Sequence, residues 1–166
     1  MIPDDVDESA HDLPDGIDVA AEEAALLHKM GALSLPPKPV QDALLAAYFR
    51  WLHPALRLFD QHEFMHRLSE GRSSLLLLQA VFFVATIYVE DEVIQANYSS
   101  RRAAELMFFK RAKALYEVEH EGDSICIVQA LFLMSFWWPG PTDRKDIGHW
   151  LGAAISLAQA RGMHRS

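Results

Sequence analysis

Two apolar runs constrain this chain more than anything else in it. Residues 74–89 read Ser-Leu-Leu-Leu-Leu-Gln-Ala-Val-Phe-Phe-Val-Ala-Thr-Ile-Tyr-Val. Residues 123–137 read Asp-Ser-Ile-Cys-Ile-Val-Gln-Ala-Leu-Phe-Leu-Met-Ser-Phe-Trp. In the first, Gln79 and Thr86 are seven apart, so a helix places them on one thin polar line of an otherwise apolar cylinder. In the second, only Gln129 and Ser135 interrupt the body of the run. A helix that is apolar nearly all round has to be surrounded by other helices. The alternative is a membrane. A spanning helix needs roughly 20 apolar residues, and the first run has 16 and carries Gln79 and Thr86. No membrane span is expected.

Four further helices can wrap the two. Residues 39–52 carry Leu44, Leu45, Tyr48, Phe49 and Leu52 at helical spacing, with Pro39 suited to a first turn and Pro54 at the end. A short helix starts at Asp60, with Glu63 three residues on in a capping-box pattern, and closes at Gly71. Residues 100–118, capped by Ser99 or Ser100, present Ala104, Phe108, Ala112 and Leu115 as an inner stripe. Residues 144–161 put Ile147, Trp150, Leu151, Ala154, Leu157 and Ala158 on one face, with small residues on the rest and Gly162 as the stop. Those small residues imply close approach of a second helix, so this helix is expected to be sandwiched. Trp-Trp-Pro-Gly-Pro, 137–141, forces a turn before it. No stretch alternates with period two. The fold class is all-α, an antiparallel array of about six helices. A weak internal echo pairs Leu77-Leu-Gln-Ala80 with Ile127-Val-Gln-Ala130, fifty residues apart. It marks either repeated helix pairs or chance among apolar helices.

Charge is distributed unevenly. Residues 1–25 hold nine acids and no Lys or Arg, while the remainder holds 14 acids against 15 bases. The chain divides into an acidic, largely disordered leader over 1–35 and a nearly neutral folded part over 36–166. A neutral domain has no general electrostatic drive toward phosphates. The leader is read as a solubilising tail, with an activation segment as the alternative. No secretory signal begins the chain.

Chemistry-bearing patterns are few. His62-Glu63-Phe64-Met65-His66 matches His-Glu-x-x-His, in which two His on one helix face bind zinc and the Glu activates water. A small zinc-dependent hydrolase is therefore the alternative reading, with Glu90, Glu92 or His120 needed as a third ligand. Against it, Glu63 has a capping role beside Asp60 and the helix is short. Arg101, Arg102, Lys110, Arg111 and Lys113 could meet phosphates, or form a solvated face alternating with Glu105 and Glu117. His53 and His149 sit near helix ends beside Trp51 and Trp150, in packing or capping positions. Trp137, Trp138 and Trp150 could line a ligand pocket, although core packing is the commoner use of such aromatics. The one cysteine, Cys126, lies among apolar residues as an inert core thiol. It also excludes a disulfide framework within the chain.

Taken in order, several segments resemble one family. Tyr48-Phe-Arg-Trp-Leu-His-Pro54 followed by Phe59-Asp-Gln-His-Glu-Phe64 resembles the opening of the fungal-specific transcription factor regulatory domain. So do Leu76-Leu-Leu-Gln-Ala80 and Phe108-Phe-Lys-Arg-Ala-Lys-Ala-Leu-Tyr116. Ile127-Val-Gln-Ala-Leu131, Trp137-Trp138, Gly140-Pro141, Trp150 to Gln159 and Gly162-Met-His-Arg165 resemble its best-marked segment, in the xylanolytic-activator and cutinase-regulator style. The resemblance covers about 36–166. It implies a regulatory domain of a nuclear, zinc-cluster transcription regulator, in its N-terminal half only, so the domain is expected to be incomplete. The family's six-cysteine zinc cluster has no residues here, so zinc and DNA reading are implied only through a domain missing from this chain. On this reading no residue is catalytic, cofactor-binding or metal-ligating, the protein is not an enzyme, and it holds no cofactor. Its expected partners are proteins, or a second copy, met through helical surfaces.

Overall fold

A computed structural model describes residues 15–137 and 147–162. Every regular element in those residues is helical. In chain order these are α1 (Asp15–Met30), α2 (Lys38–Ala47), a π-helical turn (Tyr48–Leu52), α3 (His53–Leu56), α4 (Gln61–Ser69), α5 (Leu75–Tyr88), α6 (Asp91–Asn97), α7 (Arg101–Glu117), α8 (Ser124–Met134) and α9 (Ile147–Ala160).

The first apolar run becomes α5, and it is the centre of the fold. Its side chains from Leu76 through Thr86 are buried without a break. Helices α2, α7 and α8 pack around it, and α9 packs on α8. The stripe expected on α7 faces inward, with Ala104, Phe108, Ala112 and Leu115 all buried. No helix among the described residues is long and apolar enough to cross a membrane.

Helix starts follow the sequence signals. Asp60, Ser74, Ser100 and Asp123 each accept a hydrogen bond from a backbone N–H in the first turn of the helix that follows. At α4 only half of the capping box forms. Asp60 Oδ1 accepts from the Glu63 N–H at 2.8 Å, while the Glu63 carboxylate turns to Arg67 at 3.0 Å. Gly71 and Gly162 stand just beyond α4 and α9, as expected.

The helix expected over 39–52 widens at its end. Pro54 has no N–H, and its ring crowds the carbonyl four residues back. The backbone accommodates this with a π turn, in which the His53 N–H reaches the Tyr48 carbonyl. The run expected as one helix to Trp137 ends at Met134. Helix α9 packs on α8, but Gly152, Ile155 and Ser156 on its other side are exposed. The expected sandwich is therefore one-sided among the described residues. The Trp138 to Pro141 part of the expected turn lies outside the described residues.

The larger departure is at the N-terminus. Residues 15–30, read as part of a disordered leader, form α1. Ala20, Ala21, Ala24 and Ala25 with Glu22 and Glu23 are strong helix formers, and the end of the helix is anchored. Gly31 has φ +71°. The Ala32 N–H bonds to the Leu27 carbonyl at 3.0 Å and the Gly31 N–H to the His28 carbonyl at 3.1 Å. This is a Schellman stop, and Leu27 and Ala32 are both buried beside it. A Cβ on Gly31 would lie 2.7 Å from Arg111 Nη2. The folded unit thus begins upstream of residue 36, inside the acidic segment. Residues 1–14 lie outside the described residues.

Candidate functional site

The sharpest catalytic pattern of the sequence lies on α4. His62 and His66 are one turn apart on its exposed side, rings parallel, centroids 6.5 Å apart. Phe64 between them turns inward against Phe49 and Phe59. The remaining parts of a zinc site are committed elsewhere. Glu63 is ion-paired with Arg67, and His66 Nε2 lies 2.9 Å from Glu70 Oε1. Among the described residues no three metal-ligating side chains converge, so Glu90, Glu92 and His120 do not complete the pair. We expect metal analysis of the purified chain to find no stoichiometric zinc. The double variant His62→Ala/His66→Ala should keep the same unfolding midpoint. Stoichiometric zinc lost in that variant would establish a zinc site at His62 and His66 instead.

The basic residues of α7 serve the fold. Arg101 donates to the Thr86 carbonyl and to Asp91 Oδ1, the latter at 2.5 Å. The Arg102 guanidinium lies 4.2 Å from the centroid of Trp137 and pairs with Glu105. Arg111 Nε donates to the Met30 carbonyl at 2.8 Å, and burial lowers its proton affinity, with Tyr98 opposing. Lys113 faces Glu117, and Lys110 is exposed. A surface that spends its guanidinium groups on backbone and aromatic partners is not organised to track phosphates.

Trp137 and Trp150 are core, whereas Trp51 is exposed. Trp137 stacks on Phe109 with centroids 4.5 Å apart at 9°, and Trp150 meets the same ring edge-on at 5.6 Å. Phe83 and Tyr116 flank them. A Trp-lined ligand pocket does not form from Trp137 and Trp150; Trp138 lies outside the described residues. Cys126 is buried, and burial together with Asp123 and Glu121 pushes its thiol up to about 11, so it is not a thiolate at neutral pH. His149 packs edge-on against Trp150.

The segments that carried the family resemblance build junctions. Tyr48, Phe49, His53, Phe59 and Phe64 form one aromatic cluster, with Tyr48 stacked on Phe59 at 5.6 Å. This cluster joins the π turn to α4. The two echoed Gln-Ala pairs share a role. Gln79 Nε2 donates to the Ala32 and Ser34 carbonyls, both at 3.1 Å, and Gln129 Nε2 donates to the Leu58 carbonyl at 3.1 Å. Ala80 and Ala130 beside them are fully buried. Each central helix therefore uses one amide to hold a connecting segment. The echo was visible in the sequence, but its meaning was not, because the acceptors lie 45 to 71 residues away.

Fold and side chains together define an all-α domain in which many of the marked residues that the structure describes hold helices and connections in place. The family described as fungal specific transcription factor domain matches residues 45–166. Cutinase transcription factor 1 beta of Fusarium vanettenii is 41% identical over 154 residues, which cover 89% of this chain and 18% of that protein. Cutinase transcription factor 1 alpha of the same organism is 42% identical over 148 residues, 87% of this chain and 16% of that protein. Transcription factor cpaR of Aspergillus oryzae is 32% identical over 142 residues, 82% of this chain and 23% of that protein. No solved structure matches. The chain belongs to the fungal specific transcription factor domain family. It spans less than a quarter of the length of each of these relatives.

Proposed function

We propose that this chain is a regulatory domain that controls transcription in the nucleus through protein contacts rather than through chemistry of its own. The observation that carries the reading is the match of residues 45–166 to the family. The pairing of Glu63 with Arg67 and of His66 with Glu70 accords with it, because both groups a zinc hydrolase would need free are held by neighbours on their own helix. DNA would be reached through another domain of a longer protein, since one cysteine cannot build a six-cysteine zinc cluster. On this reading the domain works without a cofactor and is not an enzyme.

Its partners are proteins, or a second copy, met through helical surfaces. Ile125, Phe136 and Ile155 stand exposed on or beside α8 and α9, and α9 carries no Asp, Glu, Lys or Arg along its 14 residues. Apolar surface of this kind favours association.

The test places the chain next to a promoter. Fused to an unrelated DNA-binding domain in a fungal host, it should change reporter output relative to that domain alone. The core variant Phe109→Ala should remove the change. Identical output from the wild-type fusion and the bare DNA-binding domain would overturn the reading.

A further inference from the structure

A groove runs along the outside of the fold between α2 and α6. Its first half is a pocket of about 330 Å³ between Pro37, Pro39 and Val40 at the start of α2 and Val93 and Ala96 of α6. Its second half, about 200 Å³, lies between Ala43, Ala46 and Ala47 of α2 and Tyr88 and Val93. The halves share Val93, so they adjoin. The smaller the side chains at a contact, the closer two helices can pack, and α2 turns three alanines to this groove. From Pro37 to Trp51 it is about 20 Å long at the helical rise per residue, the length of a docked helix of about four turns.

Trp51 closes one end. Within the π turn that Pro54 imposes, Tyr48 and Leu52 are buried while Trp51 is 55% exposed. Such turns frequently lie at functional sites. Tyr88, 42% exposed, lines the same end, and the Arg50 guanidinium lies 5.0 Å from the Trp51 ring centroid. An exposed indole leaves a large apolar area in water. Trp, Tyr and Arg are also the residue types that most often carry the binding energy of protein interfaces.

Charge selects among the occupants such a groove could take. Glu90 and Glu92 stand exposed on its α6 side, one beside each half. Asp91 between them pairs with Arg101, but neither glutamate has an ion-pair partner among the described residues. On the α2 side Lys38 is held by Asp42, and Arg50 lies over Trp51. An acidic helix would face two uncompensated carboxylates, whereas Lys or Arg along that edge would meet them. A second copy of this chain, also of net charge −8, brings the wrong sign.

We propose that the α2–α6 groove binds an amphipathic helix of a partner protein. That helix lays a Leu- or Ile-rich stripe over the alanines and Val93, sets an apolar side chain against Trp51 and Tyr88, and turns Lys or Arg toward Glu90 and Glu92. The inference rests on the reading of this domain as one that acts through protein contacts. It gives that reading a surface apart from α8 and α9, and a partner chemistry. Covering Trp51 and Tyr88 supplies affinity, and the two glutamates discriminate between partners.

The test uses the full chain and peptides of the groove's length. One is helical, with Leu along one stripe and Lys on both flanks; the second has Glu in place of Lys; the third is Pro-rich with the same Lys content. Amide NMR should show the Leu/Lys helix shifting Ala43, Ala47, Trp51, Tyr88 and Val93. Trp51→Ala removes an exposed ring, so it should keep the unfolding midpoint while weakening that peptide by about tenfold or more, the effect of deleting a hot-spot aromatic. Glu90→Gln/Glu92→Gln should weaken it by about 3- to 10-fold, the worth of two exposed charge pairs, and bring the Leu/Glu helix closer to it in affinity. Shifts centred on the acidic helix α1, or no shifts, would overturn the proposal. So would equal binding of the Leu/Glu or Pro-rich peptide, an unaffected Trp51→Ala, or shifts at these residues that follow protein concentration with no peptide present. The reporter experiment decides the regulatory reading separately: a wild-type fusion that changes output while no peptide binds here sinks the groove alone.

Discussion

Phe109→Ala should cost about 3–5 kcal/mol of stability, the usual range for deleting a buried aromatic ring. Phe109 is 5% exposed and sits in the middle of a ring assembly. Trp137 stacks on one face, Trp150 meets it edge-on, and Phe83 packs against it at 5.5 Å. The Phe109 ring therefore meets α5, α9 and the segment after α8 at once. Truncation leaves a cavity between large rigid rings, which cannot collapse as flexible aliphatic chains can. A domain's whole stability is about 5–15 kcal/mol, so the variant should sit near the threshold of folding. Urea unfolding of Phe109→Leu, expected to lose about 1–2 kcal/mol, keeps the comparison measurable if Phe109→Ala does not fold. The control is Phe132→Ala. That ring is half-buried and touches exposed Phe136, so its loss should be distinctly smaller. Equal costs at 109 and 132 would mean that the Trp137–Phe109–Trp150 assembly is not the keystone described.

Most of the helices were legible because they rest on local physics. The apolar run of α5, the stripe of α7 and the caps at Asp60, Ser100 and Asp123 are read from neighbouring residues. Each appears within a residue or two of its expected place. What failed to show itself depended on partners distant in sequence. Helix α1 was hidden by acidic composition, which argued for disorder. Its Ala-rich body is a marginal helix alone, and it is held by Arg111 and Gln79 from α7 and α5. The π turn was hidden because periodicity does not distinguish it from α-helix; only the position of Pro54 hinted at it. Helix α6 has seven residues and one buried side chain, Ile94, too little for a periodic signal.

Site reading shows the same division. Spacing places His62 and His66 on one face of a helix, and the structure has them there. Spacing cannot say which partners Glu63 and His66 take, and both are held by neighbours on their own helix. The basic cluster on α7 looked like a surface until each guanidinium was followed to a carbonyl or a ring.

Gln79→Leu should free the connection between α1 and α2. Gln79 is fully buried on the most apolar helix of the fold, and its Nε2 donates to two carbonyls of that connection. Two effects oppose each other in the variant. Leu removes the buried Gln79 Oε1, which has no partner, and that favours the variant. It also strips the Ala32 carbonyl of its donor in a buried setting, which costs about 1–3 kcal/mol. The global unfolding midpoint should therefore move little. The local effect should be large, because the lost bonds tie down one short segment and not the core. Amide exchange of Ala32 and Ser34, whose N–H groups close the turn at Gly31, should quicken by about 10- to 100-fold, since each 1.4 kcal/mol of local opening is worth about tenfold. Arg111 Nε on the Met30 carbonyl is the second clasp. Removing both, in Gln79→Leu/Arg111→Met, should loosen the turn by more than the two single changes predict together, because either clasp alone keeps the other's partner close. Unchanged exchange at Ala32 in the double variant would show that Leu27 and the Schellman stop hold the acidic helix without help from the core. In that case the tie between α1 and the domain would rest on apolar packing alone.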